Sequence, residues 1–223
     1  MAIKIKSRQT ILFIGDSITA AGRQNMNPPI GNGYVKLFSD LVAIREPGKK
    51  INIINKGIGG DRICVGMNGR KNRGLLNRWD DDVLRNKPDW LCIKIGINDL
   101  NSCIRQDAIS VPPELYRDSY DKILARTKEF LPKCRILLID PSFISTDRFE
   151  ASYRKEVLDL IPKYIKVVHE MSAKYKTRLL KTHEMFQRLL KHHEPDRFCD
   201  EPIHPQLTGH LAIAEAVYNT LSE

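Results

Sequence analysis

Apolar residues along this chain fall into short, nearly unbroken runs separated by longer stretches of helical period. The runs Thr10–Ile14, Ile51–Asn55, Trp90–Ile95, Arg135–Asp140 and Arg178–Lys181 are rich in Ile, Leu and Val, the pattern of strands covered on both faces. The intervening stretches predict helices at Tyr34–Ile44, Gly74–Asn86, Pro113–Phe130 and Glu150–Lys176, with a closing helix at Gln206–Leu221. Because the first four helices separate successive strands, the strands are expected to run parallel, joined by right-handed crossovers. The predicted fold class is therefore α/β, a three-layer α/β/α sandwich about a five-stranded parallel sheet. No repeat, low-complexity tract or linker interrupts the alternation, so residues 1–223 are read as a single domain.

Composition narrows the setting. The 223 residues, 42% of them hydrophobic and 28% charged, are enough to bury one full core. No apolar run approaches the roughly 20 residues of a membrane-spanning helix. Gly15 and Asp16 interrupt the N-terminal apolar segment too early for a signal peptide. A soluble, cytoplasmic protein with no membrane partner is expected. The five cysteines are odd in number, dispersed and never paired as C-x-x-C, which argues for reduced thiols rather than a disulfide framework or thiolate metal site. The formal net charge of +9 raises the question of nucleic acid or another polyanion. Its densest stretch, Arg62–Arg78, holds five basic residues, three glycines and no acid; we read it as a solvated loop with no nucleic-acid partner.

Candidate chemistry gathers where the strands end. In parallel sheets, ligands sit beyond the carboxyl ends of the strands, near the point at which strand order reverses. There the chain places Gly15-Asp16-Ser17, Gly57-Ile58-Gly59-Gly60, Gly96-Ile97-Asn98-Asp99 and Pro141-Ser142-Phe143. A serine between strand and helix is ordinarily an N-cap. The surroundings of Ser17 are neither a G-x-S-x-G elbow, since Thr19 takes the second glycine's place, nor a phosphate loop. A nucleophile is the chemical alternative, and it needs a base.

Of the six histidines, His169 and His183 fall in predicted elements and His192-His193 ends a basic stretch. His204 lies in an irregular segment between Pro202 and Pro205, with Asp200 and Glu201 just before it. Either acid could hold Nδ1–H and leave Nε2 free as the base. For an oxyanion, Gly60 offers an unobstructed backbone N–H and Asn98 a side-chain amide.

The strings GDSIT, NKGIGGD, IGINDL and EPIHP, in that order from Gly15 to His204, resemble the four sequence blocks of the SGNH hydrolase superfamily, the GDSL esterases and lipases. The resemblance implies a flavodoxin-like fold with Ser17 as nucleophile and His204 as general base. It also implies an oxyanion hole of the Ser17 N–H, Gly60 and Asn98, and no metal or organic cofactor. The longer strings LFIGDSIT, NKGIGG, RWDDDVLRNKPDW and IGINDL resemble the intracellular carbohydrate acetyl esterases, acetylxylan esterases among them. That likeness implies a small-molecule ester substrate, an acetylated sugar, and a homo-oligomer.

Three departures from the family pattern stand out. The last block is usually Asp-x-x-His, whereas Glu201 stands three before His204 and Asp200 one place further back, leaving two candidate acids. Ala20 stands where the related esterases often carry Asp, so Asp16 and Arg23 are the candidate substrate contacts. The basic, glycine-rich stretch Cys64–Gly74 after the oxyanion glycine is suited to covering the pocket or making a subunit contact, the alternative being a mobile solvent loop. Trp79 and Trp90 are read as core, and His192, His193, Asp196 and Cys199 lack the spacing of a zinc site. The expected activity is hydrolysis of short-chain acetyl esters through an acyl-enzyme. The rival readings are a lysophospholipase or thioesterase taking longer acyl chains, and a non-catalytic polyanion-binding protein on the same fold.

Overall fold

The computed structural model describes residues 5–64 and 74–222. Five strands, β1 (Thr10–Gly15), β2 (Asn52–Asn55), β3 (Trp90–Lys94), β4 (Arg135–Ile139) and β5 (Arg178–Leu180), form one parallel sheet in the order β2-β1-β3-β4-β5. Each begins and ends within one residue of its predicted run. The reason is burial on both faces: Ile11 to Ile14, Leu91 to Ile93 and Leu137 to Ile139 are all 0% exposed. This strand order reverses direction between β1 and β3, which puts the topological switch point at the ends of those two strands.

The helices fall into two packed groups. Helix α2 (Tyr34–Arg45) packs against α8 (Leu207–Ser222) on one face, while α3 (Leu75–Trp79), α5 (Pro113–Phe130) and α6 (Tyr153–Tyr175) pack on one another across the other. The three-layer sandwich is thus as expected, and Trp79 and Trp90 lie in its core at 1% and 2% exposure.

Helix ends differ from the pattern in ways the local chemistry explains. The predicted Gly74–Asn86 helix is α3 followed by a π turn over Asp80–Leu84; the wide turn sets Asp82 against both Arg78 and Lys56. Helix α6 begins three residues later than predicted because Ser152 caps it, its Oγ accepting from the Lys155 N–H at 3.2 Å. Four elements went unpredicted: α1 (Ser17–Ala20), α4 (Ile97–Ile104), α7 (Thr182–Leu189) and a hairpin of β6 (Cys199–Glu201) with β7 (His204–Pro205).

The reading of Arg62–Arg78 as a solvated face is corrected at both described ends. Arg62 is 2% exposed, donating to the Ile109 carbonyl at 2.9 Å and pairing with Asp107. Arg78 is 7% exposed and pairs with Asp61 and Asp82. Both guanidiniums point into the protein, where carboxylates and carbonyls wait for them. Positions 65–73 of that stretch, with Arg70, Lys71 and Arg73, lie outside the described residues. Among the described residues no helix is long and apolar enough to cross a membrane. The five cysteines are free thiols.

Candidate active site

The first strand carries the chain to Asp16, whose carboxylate accepts from the Ile18 N–H at 3.0 Å and so caps α1. Ser17 is therefore the first helical residue and not the cap, and its hydroxyl is left for another partner. Asp16 is 1% exposed, which corrects the expectation that it touches substrate: its carboxylate faces inward. Burial pushes its pKa up to about 6, against the pull of the Lys94 ammonium.

The Ser17 Oγ lies 2.8 Å from Nε2 of His204. His204 is presented by the short hairpin, in which Glu201 of β6 stands opposite His204 of β7 across the turn of Pro202 and Ile203. One Glu201 carboxylate oxygen accepts from the Ile203 N–H at 2.9 Å, the other from the His204 N–H at 2.9 Å. The second oxygen also bonds Nδ1 of His204. A carboxylate at Nδ1 keeps the ring proton there and turns the Nε2 lone pair toward the serine hydroxyl. Of the two candidate acids, only Glu201 meets the imidazole. Asp200, adjacent and exposed at an irregularity of the hairpin register between Cys199 and Glu201, has no hydrogen bond or ion pair with His204 among the described residues.

The oxyanion candidates meet at a second corner, built by buried charge. Gly60 has φ +73°, a left-handed conformation that favours glycine. The next residue, Asp61, ties the corner together. Its carbonyl accepts from Asn98 Nδ2 at 3.0 Å, and its carboxylate accepts from Arg78 Nε at 2.9 Å and Nη2 at 2.6 Å. Arg78 also donates to the Lys56 carbonyl at 2.8 Å and the Gly15 carbonyl at 3.3 Å. One guanidinium thus joins the ends of β1 and β2 to the residue after Gly60, and that residue holds Asn98 at the end of β3. Gly57 lets the β2 loop close on α1: a Cβ there would meet the Ala20 nitrogen at 2.3 Å. Arg23 Nε donates to the Gly57 carbonyl at 2.6 Å, so this side chain, a candidate substrate contact, also braces the same loop.

Three contributors carried no assignment from the sequence. Arg78 looked like one more surface cation. Lys94 is 1% exposed and donates to the Asp140 carbonyl at 3.1 Å and Ser142 Oγ at 3.2 Å, fastening the β3 and β4 ends; a lysine inside the apolar run WLCIKIG was the available signal. His210 Nδ1 accepts from the Tyr34 N–H at 3.2 Å, at the start of α2. Burial brings its pKa down to about 4, so it serves this end as a neutral acceptor. Among the described residues, no three His, Cys, Asp or Glu side chains are grouped to hold a metal ion.

Comparison with known proteins places this geometry in a family. The model of the GDSL-like lipase/acylhydrolase family matches residues 13–212. The chain belongs to that family. As a GDSL hydrolase it is a carboxylic ester hydrolase. It is 31% identical to an acetylxylan esterase of Geobacillus stearothermophilus, over 96% of this chain and 94% of that protein. A crystal structure of the latter enzyme superposes with a TM-score of 0.83 at 28% identity, covering 99% of this chain and 97% of the other. An alpha/beta hydrolase from the metagenome of Lake Arreo, Spain, superposes with a TM-score of 0.83 at 27% identity, covering 99% and 98%. Structures described as catalytic mutants of the Geobacillus enzyme replace a serine, an aspartate and a histidine by alanine, the last two three positions apart in its chain.

Proposed function

We propose that this GDSL hydrolase removes acetyl groups from an acetylated carbohydrate, with Ser17 as nucleophile, His204 as general base and Glu201 as the acid that orients it. One observation carries the reading: the Ser17 Oγ to His204 Nε2 contact of 2.8 Å, with Glu201 on the opposite ring nitrogen. The spacing of Glu201 and His204 equals that of the aspartate and histidine replaced in the Geobacillus catalytic mutants. The substrate class rests on the name and 31% identity of that relative. Residues 1–223 act as one such domain in a reducing cytoplasm, assembled as a homo-oligomer.

As Ser17 Oγ attacks the ester carbonyl carbon, its proton passes to Nε2, and the imidazolium is held by the Glu201 carboxylate. The carbonyl oxygen becomes an oxyanion that receives the N–H groups of Ser17 and Gly60. Asn98 Nδ2 adds the hydrogen not engaged by Asp61. His204 then returns the proton to the departing sugar oxygen, leaving acetyl on Ser17. A water molecule activated by the same Nε2 attacks the acetyl-serine and releases acetate.

Hydrolysis of p-nitrophenyl acetate by wild type and Ser17→Ala tests the nucleophile: equal rates would overturn it. A series from acetate to octanoate esters tests the acyl group. Activity should fall steeply with chain length, whereas a rise would assign the site to a lipase or thioesterase. Release of acetate from acetylated xylo-oligosaccharides tests the alcohol.

A further inference from the structure

The amino ends of β3, β4 and β5, at the opposite edge of the sheet from Ser17, border a cavity of about 520 Å³. Its lining includes Lys128, Lys133, Arg135, Lys176 and Arg178 around Trp90. Parallel register places Trp90 beside Arg135, and Leu137, two residues on, beside Arg178, so all three side chains share one sheet face. The Arg135 and Arg178 guanidiniums lie 5.4 and 5.5 Å from the Trp90 ring centroid, within cation–π range. Lys128 comes from the last turn of α5, Lys133 from the loop after it, and Lys176 from the C-cap of α6.

None of these five cations has an ion-pair partner among the described residues. On the same two helices Arg117 pairs with Glu170, Arg126 with Asp80, Lys155 with Asp159 and Lys174 with Asp121, while Lys122 and Lys163 stand singly without a pair among the described residues. The nearby Asp89 carboxylate is occupied by the Thr10 N–H at 2.8 Å and the Gln9 amide at 3.4 Å. Helix ends account for part of the pattern, since Lys128 and Lys176 oppose the negative ends of α5 and α6 and Arg178 bonds the Thr220 carbonyl of α8. They do not account for Arg135 on a strand, nor for five like charges gathered without a counter-ion.

We propose that this cavity binds a small molecule carrying two or more linked phosphates. Planar guanidiniums on adjacent strands suit the paired oxygens of a diphosphate, and flanking ammonium groups suit the remaining charge. The cavity volume lies in the range of small-ligand sites, about 300–1,000 Å³. Separation from Ser17 by the length of the strands means that the ligand occupies no part of the ester site.

Isothermal titration of the full chain at 0.15 M salt with tripolyphosphate, ATP, AMP and orthophosphate tests the proposal. Tripolyphosphate and ATP should bind at one site per chain, each at least tenfold tighter than AMP or orthophosphate. Equal affinity for the first two assigns recognition to the phosphates alone; tighter ATP adds a contact to the nucleoside. The double variants Lys133→Gln/Arg135→Gln and Lys128→Gln/Lys176→Gln should each weaken binding at least tenfold while hydrolysing p-nitrophenyl acetate at the wild-type rate. Arg85→Gln, which removes a cation paired elsewhere with Asp81, should bind as wild type. Absence of binding would overturn the proposal, as would unchanged affinity in both double variants. A single-stranded oligonucleotide displacing tripolyphosphate at equal phosphate concentration would overturn it too, by assigning the face to nucleic acid.

Discussion

The two arms proposed to serve Ser17 are built on opposite principles. The hairpin arm is local and wet: Glu201 and His204 are three residues apart, and their side chains are 48% and 55% exposed. The oxyanion arm is long-range and dry: Asp61 and Asp99 are 0% exposed, Arg78 is 7% exposed, and their contacts join segments far apart in sequence. Solvent screens the first arm, so Glu201 acts chiefly by fixing the ring and its tautomer. In the second arm, low dielectric strengthens fixed donors that need no reorganisation during reaction. In the proposed mechanism the site thus keeps its proton traffic at the surface and its charge stabilisation against the core.

The contrast is broken most severely by removing the base. His204→Ala should lower kcat by roughly 10⁵–10⁶-fold in the p-nitrophenyl acetate assay, with KM little changed. Glu201→Gln should cost on the order of 10⁴-fold, whereas Asp200→Asn should leave kcat within about twofold of wild type. A reversed pair of results would return the acid's role to Asp200. On the other arm, Asn98→Ala should cost about 10²–10³-fold in kcat through loss of one oxyanion donor.

Arg78→Lys sharpens the contrast further. It keeps the charge but loses the fork that spans Gly15, Lys56 and Asp61, so kcat should fall about tenfold with KM unchanged. A circular-dichroism melt would show the structural part of the loss, and unchanged kcat would make the guanidinium purely structural.

The smallest effect is a pH effect on stability. Burial pushes the Asp99 pKa from an ordinary 3.8 up to about 7, although the Ile63 N–H and Arg62 pull it down. The folded protein therefore holds this proton through a window in which the unfolded chain has released it. Stability from this group is full below that window and declines as pH rises through it. Asp16, raised to about 6, acts with the same sign. Thermal melts between pH 4 and 8 should show Tm falling less with pH in Asp99→Asn than in wild type. Parallel curves would contradict a buried, protonated Asp99.

Legibility in the sequence followed the same divide. Runs such as ILFI and ILLI announce strands because burial on both faces leaves no room for polar alternation. The Ser17, Gly60 and Asn98 positions stood out because strand ends are where a parallel sheet exposes backbone and polar side chains, and His204 because it lies between two prolines with acids just before it. Helix α1 was invisible since four residues hold barely one helical turn, and only the Asp16 cap marks it. Glu201 could not be told from Asp200 until the hairpin paired it with His204. Arg78 was misread with its neighbours because its partners Gly15, Lys56 and Asp61 are brought together only by the assembled sheet. The vacant acids and carbonyls that claim a cation belong to tertiary structure, and a count of charges does not reveal them.

An organophosphorus ester that mimics the tetrahedral intermediate tests the central claim most directly, by intact-mass and peptide mapping alongside residual activity. One covalent phosphoryl group on the peptide bearing Ser17, loss of esterase activity in step with labelling, and much slower labelling of His204→Ala are predicted. Labelling of a different residue, or full esterase activity with Ser17 modified, would contradict Ser17 as the nucleophile that His204 activates.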